Sequence, residues 1–208
     1  MFKGNLLILT VLVGLSSWFN SPTVLAAEFN SPNLHDLLHG GLQSKGPVNF
    51  TKFFDQDSTQ KFCSELKPVV SSDEAKRLMS KNLKGIKFLE DGAYIGDWTR
   101  GELIAQSGKG LRFNDSENTK NGGNCYACHQ IQKEELAHGT LGPSLYRYGE
   151  IRGYSDEVIR YTWTKIFNPQ ALLICSNMPR YGHNKILSIS EMRDIMALLL
   201  DPESPVNQ

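Results

Sequence analysis

Gly122-Gly123-Asn124-Cys125-Tyr126-Ala127-Cys128-His129 is the stretch that decides how this chain is read. Two thiols three positions apart, followed at once by an imidazole, supply what covalent haem attachment requires: the thiols add to the haem vinyl groups and the histidine binds iron from one face. Two other chemistries use a Cys-x-x-Cys pair. A thioredoxin-like site opens a helix after a buried strand, whereas Asn121 to Asn124 is a turn without an apolar run before it. A zinc site brings a second ligand pair at short spacing, and the remaining cysteines, Cys63 and Cys175, lie far from the motif and from each other. The motif therefore points to one covalently attached haem c on Cys125 and Cys128, with His129 as an iron ligand.

Toward the amino terminus, Lys3 precedes an apolar run from Leu6 to Leu15, and Thr23-Val24-Leu25-Ala26-Ala27-Glu28 offers small residues for cleavage near Ala26 or Ala27. This pattern predicts a secretory signal peptide over 1–26 and a periplasmic protein. A membrane anchor is the alternative, but the apolar run is half the length of about twenty residues needed to span a bilayer. No later stretch reaches that length, so no membrane span is expected in the mature form. Export agrees with the motif, because bacterial haem c is attached outside the cytoplasm.

With 22 basic and 22 acidic residues the formal charge is zero, which argues against nucleic acid as a partner. The roughly 180 residues left after cleavage suffice for one ordinary domain plus an extension. In an oxidising compartment the two cysteines outside the motif read most simply as a Cys63–Cys175 disulfide. Two buried free thiols, or a bridge to another chain, are the other readings.

Residues 27–90 are weakly patterned and read as a partly helical N-terminal extension. His35 and His39 stand at helical spacing, which suits either a metal pair or a short solvated helix. Ser71-Ser72-Asp73-Glu74 reads as a capping box opening a helix to Gly85, with Ala75, Leu78 and Met79 inward. Residues 91–208 read as the haem domain. Asp97 to Ser107 is expected to be helical, with Gly101 permitting close approach of another helix. The loop Gly139-Thr140-Leu141-Gly142-Pro143-Ser144-Leu145 follows the motif, and the Pro143 carbonyl is the candidate acceptor for the free ring N–H of His129; a plain turn is the bland alternative. Ser155 caps a helix to about Phe167, stopped by Asn168-Pro169, in which Tyr161 and Trp163 are packing residues whose polar tips could reach a haem propionate. Ser188 with Glu191 opens a last helix to Leu200, and its Met192 and Met196 read as core. Met178 stands instead in an irregular loop and is the candidate sixth iron donor, with His183 the runner-up.

Taken with the haem motif, Gly139 to Leu145, Asn168-Pro169, the loop Cys175-Ser176-Asn177-Met178-Pro179-Arg180-Tyr181-Gly182-His183 and the ending Leu200-Asp201-Pro202-Glu203-Ser204-Pro205-Val206-Asn207 resemble the SoxX family. These are small monohaem subunits of the SoxAX cytochrome of bacterial sulfur oxidation. The resemblance runs from about Trp98 onward and leaves the extension unexplained. It implies an all-α fold with a class I cytochrome c-like haem domain, and iron held by His129 and Met178. It also implies a heterodimer with a dihaem or monohaem SoxA-type subunit, acting as an L-cysteine S-thiosulfotransferase that couples thiosulfate to a cysteine of the SoxYZ carrier. This chain would contribute electron transfer only, with no catalytic residue of its own, to a soluble cytochrome c. Two rival functions stay open: a free-standing class I cytochrome c shuttle, and a haem subunit of another periplasmic oxidoreductase.

Overall fold

The computed structural model describes residues 33–50, 54–65 and 71–208, so the expected signal peptide lies outside the described residues. In chain order the helices are α1 (Leu34–Gly41), α2 (Ser58–Cys63), α3 (Asp73–Lys84), α4 (Trp98–Gln106), α5 (Tyr148–Arg152), α6 (Asp156–Phe167) and α7 (Ile189–Leu200). Short 3-10 turns cover Cys125–Ala127, Pro169–Ala171 and Pro205–Asn207. Among the described residues no strand forms, apart from a single bridge between Lys45 and Val48. No described helix is long and apolar enough to cross a membrane.

Local chemistry sets most helix ends. Ser72, Ser155 and Ser188 each accept a backbone N–H of the first turn. At Ser188 the Glu191 side chain bonds back, completing a capping box. At Ser72 it does not, because the position three residues on is Ala75, so the capping box expected there is a plain serine cap. Asn168 turns the chain out of α6 and caps the turn starting at Pro169.

The main core forms where α4 crosses α7. Gly101 permits the crossing, since a Cβ there would lie 2.1 Å from the Asp194 carbonyl oxygen on α7. The crossing is laced by polar bonds. The buried Asp194 carboxylate accepts Arg100 Nε and Nη2 at 2.9 Å each, and Asp97 N at 2.9 Å. Around this seam Ala105, Trp163, Met192, Met196 and Leu198 are buried. Trp163 donates Nε1–H to the Lys87 carbonyl at 2.9 Å, so its polar tip is already satisfied by backbone. The ending closes the core: Ser204 Oγ donates to Leu198 O at 2.6 Å, and Asn207 Oδ1 accepts Gly149 N at 2.8 Å.

A smaller cluster of Phe62, Ala75, Leu78 and Ile174 sits between α2, α3 and the segment after Pro169, with Cys63, Met79 and Cys175 packed against it. Cys63 and Cys175 are disulfide-bonded, with Cα atoms 5.5 Å apart. Ile86, Phe88 and Leu89, upstream of Asp91, pack into the main core.

The expectation of helices alone agrees with this architecture, but the expectation of a class I cytochrome c-like haem domain is corrected. Among the described residues no group of three or more His, Cys, Asp or Glu is gathered that could hold a metal ion. What the described residues show is an all-helical fold with two apolar clusters and a disulfide, and no cytochrome c fold. The physical reason is that a haem motif specifies the chemistry of one turn, while the fold follows from which apolar faces bury one another.

Candidate functional site

The motif turn hangs from the end of α4. Gly123 N donates to Ile104 O at 2.8 Å and Asn124 N to Ser107 O at 2.9 Å. A Cβ at Gly122 would lie 1.9 Å from the Ser107 carbonyl oxygen, so glycine is what lets the lead-in touch the helix end. Asn124 then takes left-handed backbone, φ 48°, which asparagine tolerates better than most residues. Cys125–Ala127 forms one 3-10 turn, in which Cys128 N and His129 N both donate to Cys125 O. Cys125 and Cys128 are unbonded thiols, and both are half-buried.

The following loop wraps the imidazole. Gly139 N donates to Tyr126 O at 2.9 Å and Gly142 N to Cys128 O at 2.8 Å. A Cβ at Gly142 would lie 2.2 Å from His129 Cε1, so the loop backbone lies directly against the ring. His129 Nδ1 stands 2.7 Å from the Pro143 carbonyl oxygen. A carbonyl can only accept, so Nδ1 carries the proton and donates, and in the neutral ring the lone pair then sits on Nε2. A ring fixed in this tautomer is a ready nitrogen donor for a metal.

Burial pushes the Cys125 thiol up to about 12, with the nearby Tyr181 hydroxyl acting in the opposite direction. Redox-active dithiols need the reverse, a thiol held low enough to ionise. Burial also pushes the Tyr181 hydroxyl well above its ordinary value, with the Cys125 and Cys128 thiols adding to the rise. That hydroxyl donates to the Gly123 carbonyl, tying the Met178 loop to the residue before the motif. Asn121 Nδ2 makes a second tie, to Ile186 O at 2.8 Å.

Met178 is half-buried and packs against the main core. Met192 and Met196 are inside that core at 1% and 0% exposure, and Met79 packs on the smaller cluster. His183 is drawn elsewhere: its Nε2 lies 3.8 Å from Asp57 Oδ2, and burial together with the Arg180 charge lowers its proton affinity. His39 sits against Phe54 and 3.7 Å from Asp55, while the side chain of His35 lies outside the described residues.

These residues fit a covalently held haem in their donor chemistry: two unpaired thiols, an imidazole with Nδ1–H committed and Nε2 open, and a thioether on a neighbouring loop. Sequence reasoning missed Asp57 and its bond to Arg180. The signal at Asp57 was legible only as a helix cap, since Asp57 and Gln60 form a capping box at the start of α2.

No protein-family model matches the chain. Over 158 residues it is 37% identical to a protein of Aquifex aeolicus (strain VF5) described as an uncharacterized lipoprotein, covering 74% of this chain and 73% of that protein.

Proposed function

The chain belongs to the same family as the uncharacterized lipoprotein of Aquifex aeolicus, and from that premise we propose that it is an extracytoplasmic haem protein that transfers electrons. The relative's description as a lipoprotein supports an envelope location, in the same direction as the export signal read at residues 1–26. Of that description only the location is carried over.

The observation that carries the haem reading is the His129 Nδ1 bond to Pro143, with Nε2 left open one residue after two unpaired cysteines. Cys125 and Cys128 would hold the group through thioethers, and His129 Nε2 and the Met178 sulfur would be the iron donors. When bound, haem supplies a one-electron iron couple. The Pro143 carbonyl orients the imidazole and raises its basicity, and the Gly142 backbone backs the ring. A thioether donor favours the reduced form and raises the potential. Burial of the Cys125 thiol, which pushes its pKa up, speaks against the rival reading as a dithiol oxidoreductase.

The finer reading follows the resemblance to SoxX: this chain is the electron-exit subunit of a periplasmic SoxAX-type complex acting on thiosulfate and the SoxYZ carrier. Among the described residues the only free cysteines are those of the motif, so the sulfur chemistry falls to a partner.

The test is export of the full chain in a host that attaches haem c. One haem per chain, resistant to denaturing extraction and lost in Cys125→Ser/Cys128→Ser, is expected. Exported wild-type protein without covalent haem overturns the reading. Copurification with a second haem subunit supports the SoxAX assignment, and a lone monomer favours the shuttle.

A further inference from the structure

The loop that carries Met178 is fastened on both sides of that residue to one short helix. Three positions before Met178, Cys175 is bonded to Cys63, the last residue of α2. Two positions after it, Arg180 donates from Nη1 to Asp57 Oδ2 at 2.5 Å, and Asp57 is the N-cap of the same helix. The Asp57 carboxylate divides its work. Oδ1 accepts Thr59 N and Gln60 N at 2.9 Å, while Oδ2 takes the guanidinium of an arginine that is only 6% exposed. Behind α2, Asn82 of α3 donates to Thr59 Oγ1 at 3.1 Å and accepts from Asn168 Nδ2 at 3.3 Å, so the helix is itself braced against the chain entering the loop.

We propose that α2 is a splint for the Met178 loop, with Asp57, Cys63 and Arg180 as positioning residues that hold the Met178 thioether at the iron. The proposal rests on the reading above that Met178 is the sixth donor. A thioether is an uncharged, soft ligand poorly matched to ferric iron, so its occupancy depends on how little freedom the loop has to leave. Anchors at 175 and 180 leave only four residues between them, which removes most of that freedom before any bond to iron forms. This gives the upstream segment a role at the site.

The test uses the ferric holoprotein and imidazole as the probe, because imidazole enters only as the thioether leaves. Asp57→Asn removes the charge-assisted bond to Arg180 while asparagine still serves as a helix N-cap, so the helix keeps its start. Cys63→Ser/Cys175→Ser removes the other anchor. In each variant imidazole should displace the sixth ligand at least about tenfold faster, a 1.4 kcal/mol change in barrier, and the weak far-red absorption band of thioether-ligated ferric haem should lose intensity. A merely structural role lowers thermal stability without moving the displacement rate. If wild type shows the band and Asp57→Asn exchanges at the wild-type rate, the splint is refuted and the ligand reading stands. If wild type lacks the band, Met178 is not the donor and the splint falls with it.

Discussion

Replacing Gly101 by alanine tests the crossing on which the main core depends. The added Cβ would lie 2.1 Å from Asp194 O, 2.7 Å from Asp194 C and 3.1 Å from Leu198 Cβ. An ordinary carbon to oxygen contact is about 3.3 Å, so α4 and α7 must part by about 1.2 Å. A gap of about 1 Å already forfeits up to half the dispersion attraction across a packed seam, and it stretches the Arg100 and Asp97 bonds to Asp194. Overpacking of this kind costs about 1 to 3 kcal/mol, weakened polar bonds add about 1, and the better helix propensity of alanine returns about 1. The expected net loss is about 2 kcal/mol, or about 4–8 °C in Tm for a domain of this size. Equilibrium urea unfolding with an unchanged m-value is the assay. Gly40→Ala in α1, where nothing lies within 4 Å of the added carbon, is the control and should be neutral or slightly stabilising. A Gly101→Ala protein as stable as wild type would falsify the close crossing.

Other substitutions probe separate bonds. Asp194→Asn weakens the acceptor of Arg100 and Asp97 in a buried setting and should cost about 2 kcal/mol, read from the urea midpoint; no change means the lacing contributes nothing. Cys63→Ser/Cys175→Ser opens a loop whose ends are 112 residues apart, and a chain-entropy treatment puts the loss at about 4 to 5 kcal/mol, so equal midpoints for variant and wild type would refute it. Burial opposes the charge on Asp57, but the Arg180 hydrogen bond and the Thr59 and Gln60 amides outweigh it and hold its pKa below the ordinary carboxylate value. A depressed folded pKa adds stability above the unfolded pKa, about 4, which is lost as pH falls through the folded value. Acid unfolding curves of Asp57→Asn should therefore slope less below that pH, and parallel curves count against the pairing. Gly142→Ala drives a methyl into the His129 ring and should break its bond to Pro143, seen as loss of the slowly exchanging Nδ1–H resonance; an unchanged resonance contradicts the loop placement.

Much of the local structure was written in short spacings. Ser155 and Ser188 with Glu191 mark helix starts, and Asn168-Pro169 marks a stop, because these bonds join residues three or four apart. Met192 and Met196 share a helix face and are both buried. Gly101 was readable as a place of close approach, yet what approaches it was not. The Arg100 and Asp97 partner is 94 and 97 residues away, and the Lys87 carbonyl that receives Trp163 is 76 residues away. The class I cytochrome c-like domain expected for residues 91–208 went wrong in the same gap, since a haem motif constrains a turn and leaves helix arrangement open. Asp57 illustrates the limit within one residue. Its Oδ1 serves a cap whose partners lie two and three positions on, and its Oδ2 serves an arginine 123 positions on that only the folded chain brings near.

The sequence by itself supplied the proposed donor set, Cys125, Cys128 and His129, because the chemistry proposed for them depends on adjacency along the chain. It also determined where most helices begin. Pro143 as acceptor for His129 Nδ1–H and the Cys63–Cys175 bridge were candidates in the sequence, with alternatives that only the folded chain could decide between. The meeting of Arg180 with Asp57, which lets one short helix hold both sides of the Met178 loop, came from tertiary structure alone. Those pairings require distant segments to meet, and the free energy that brings them together comes from burying apolar faces whose partners no local pattern specifies.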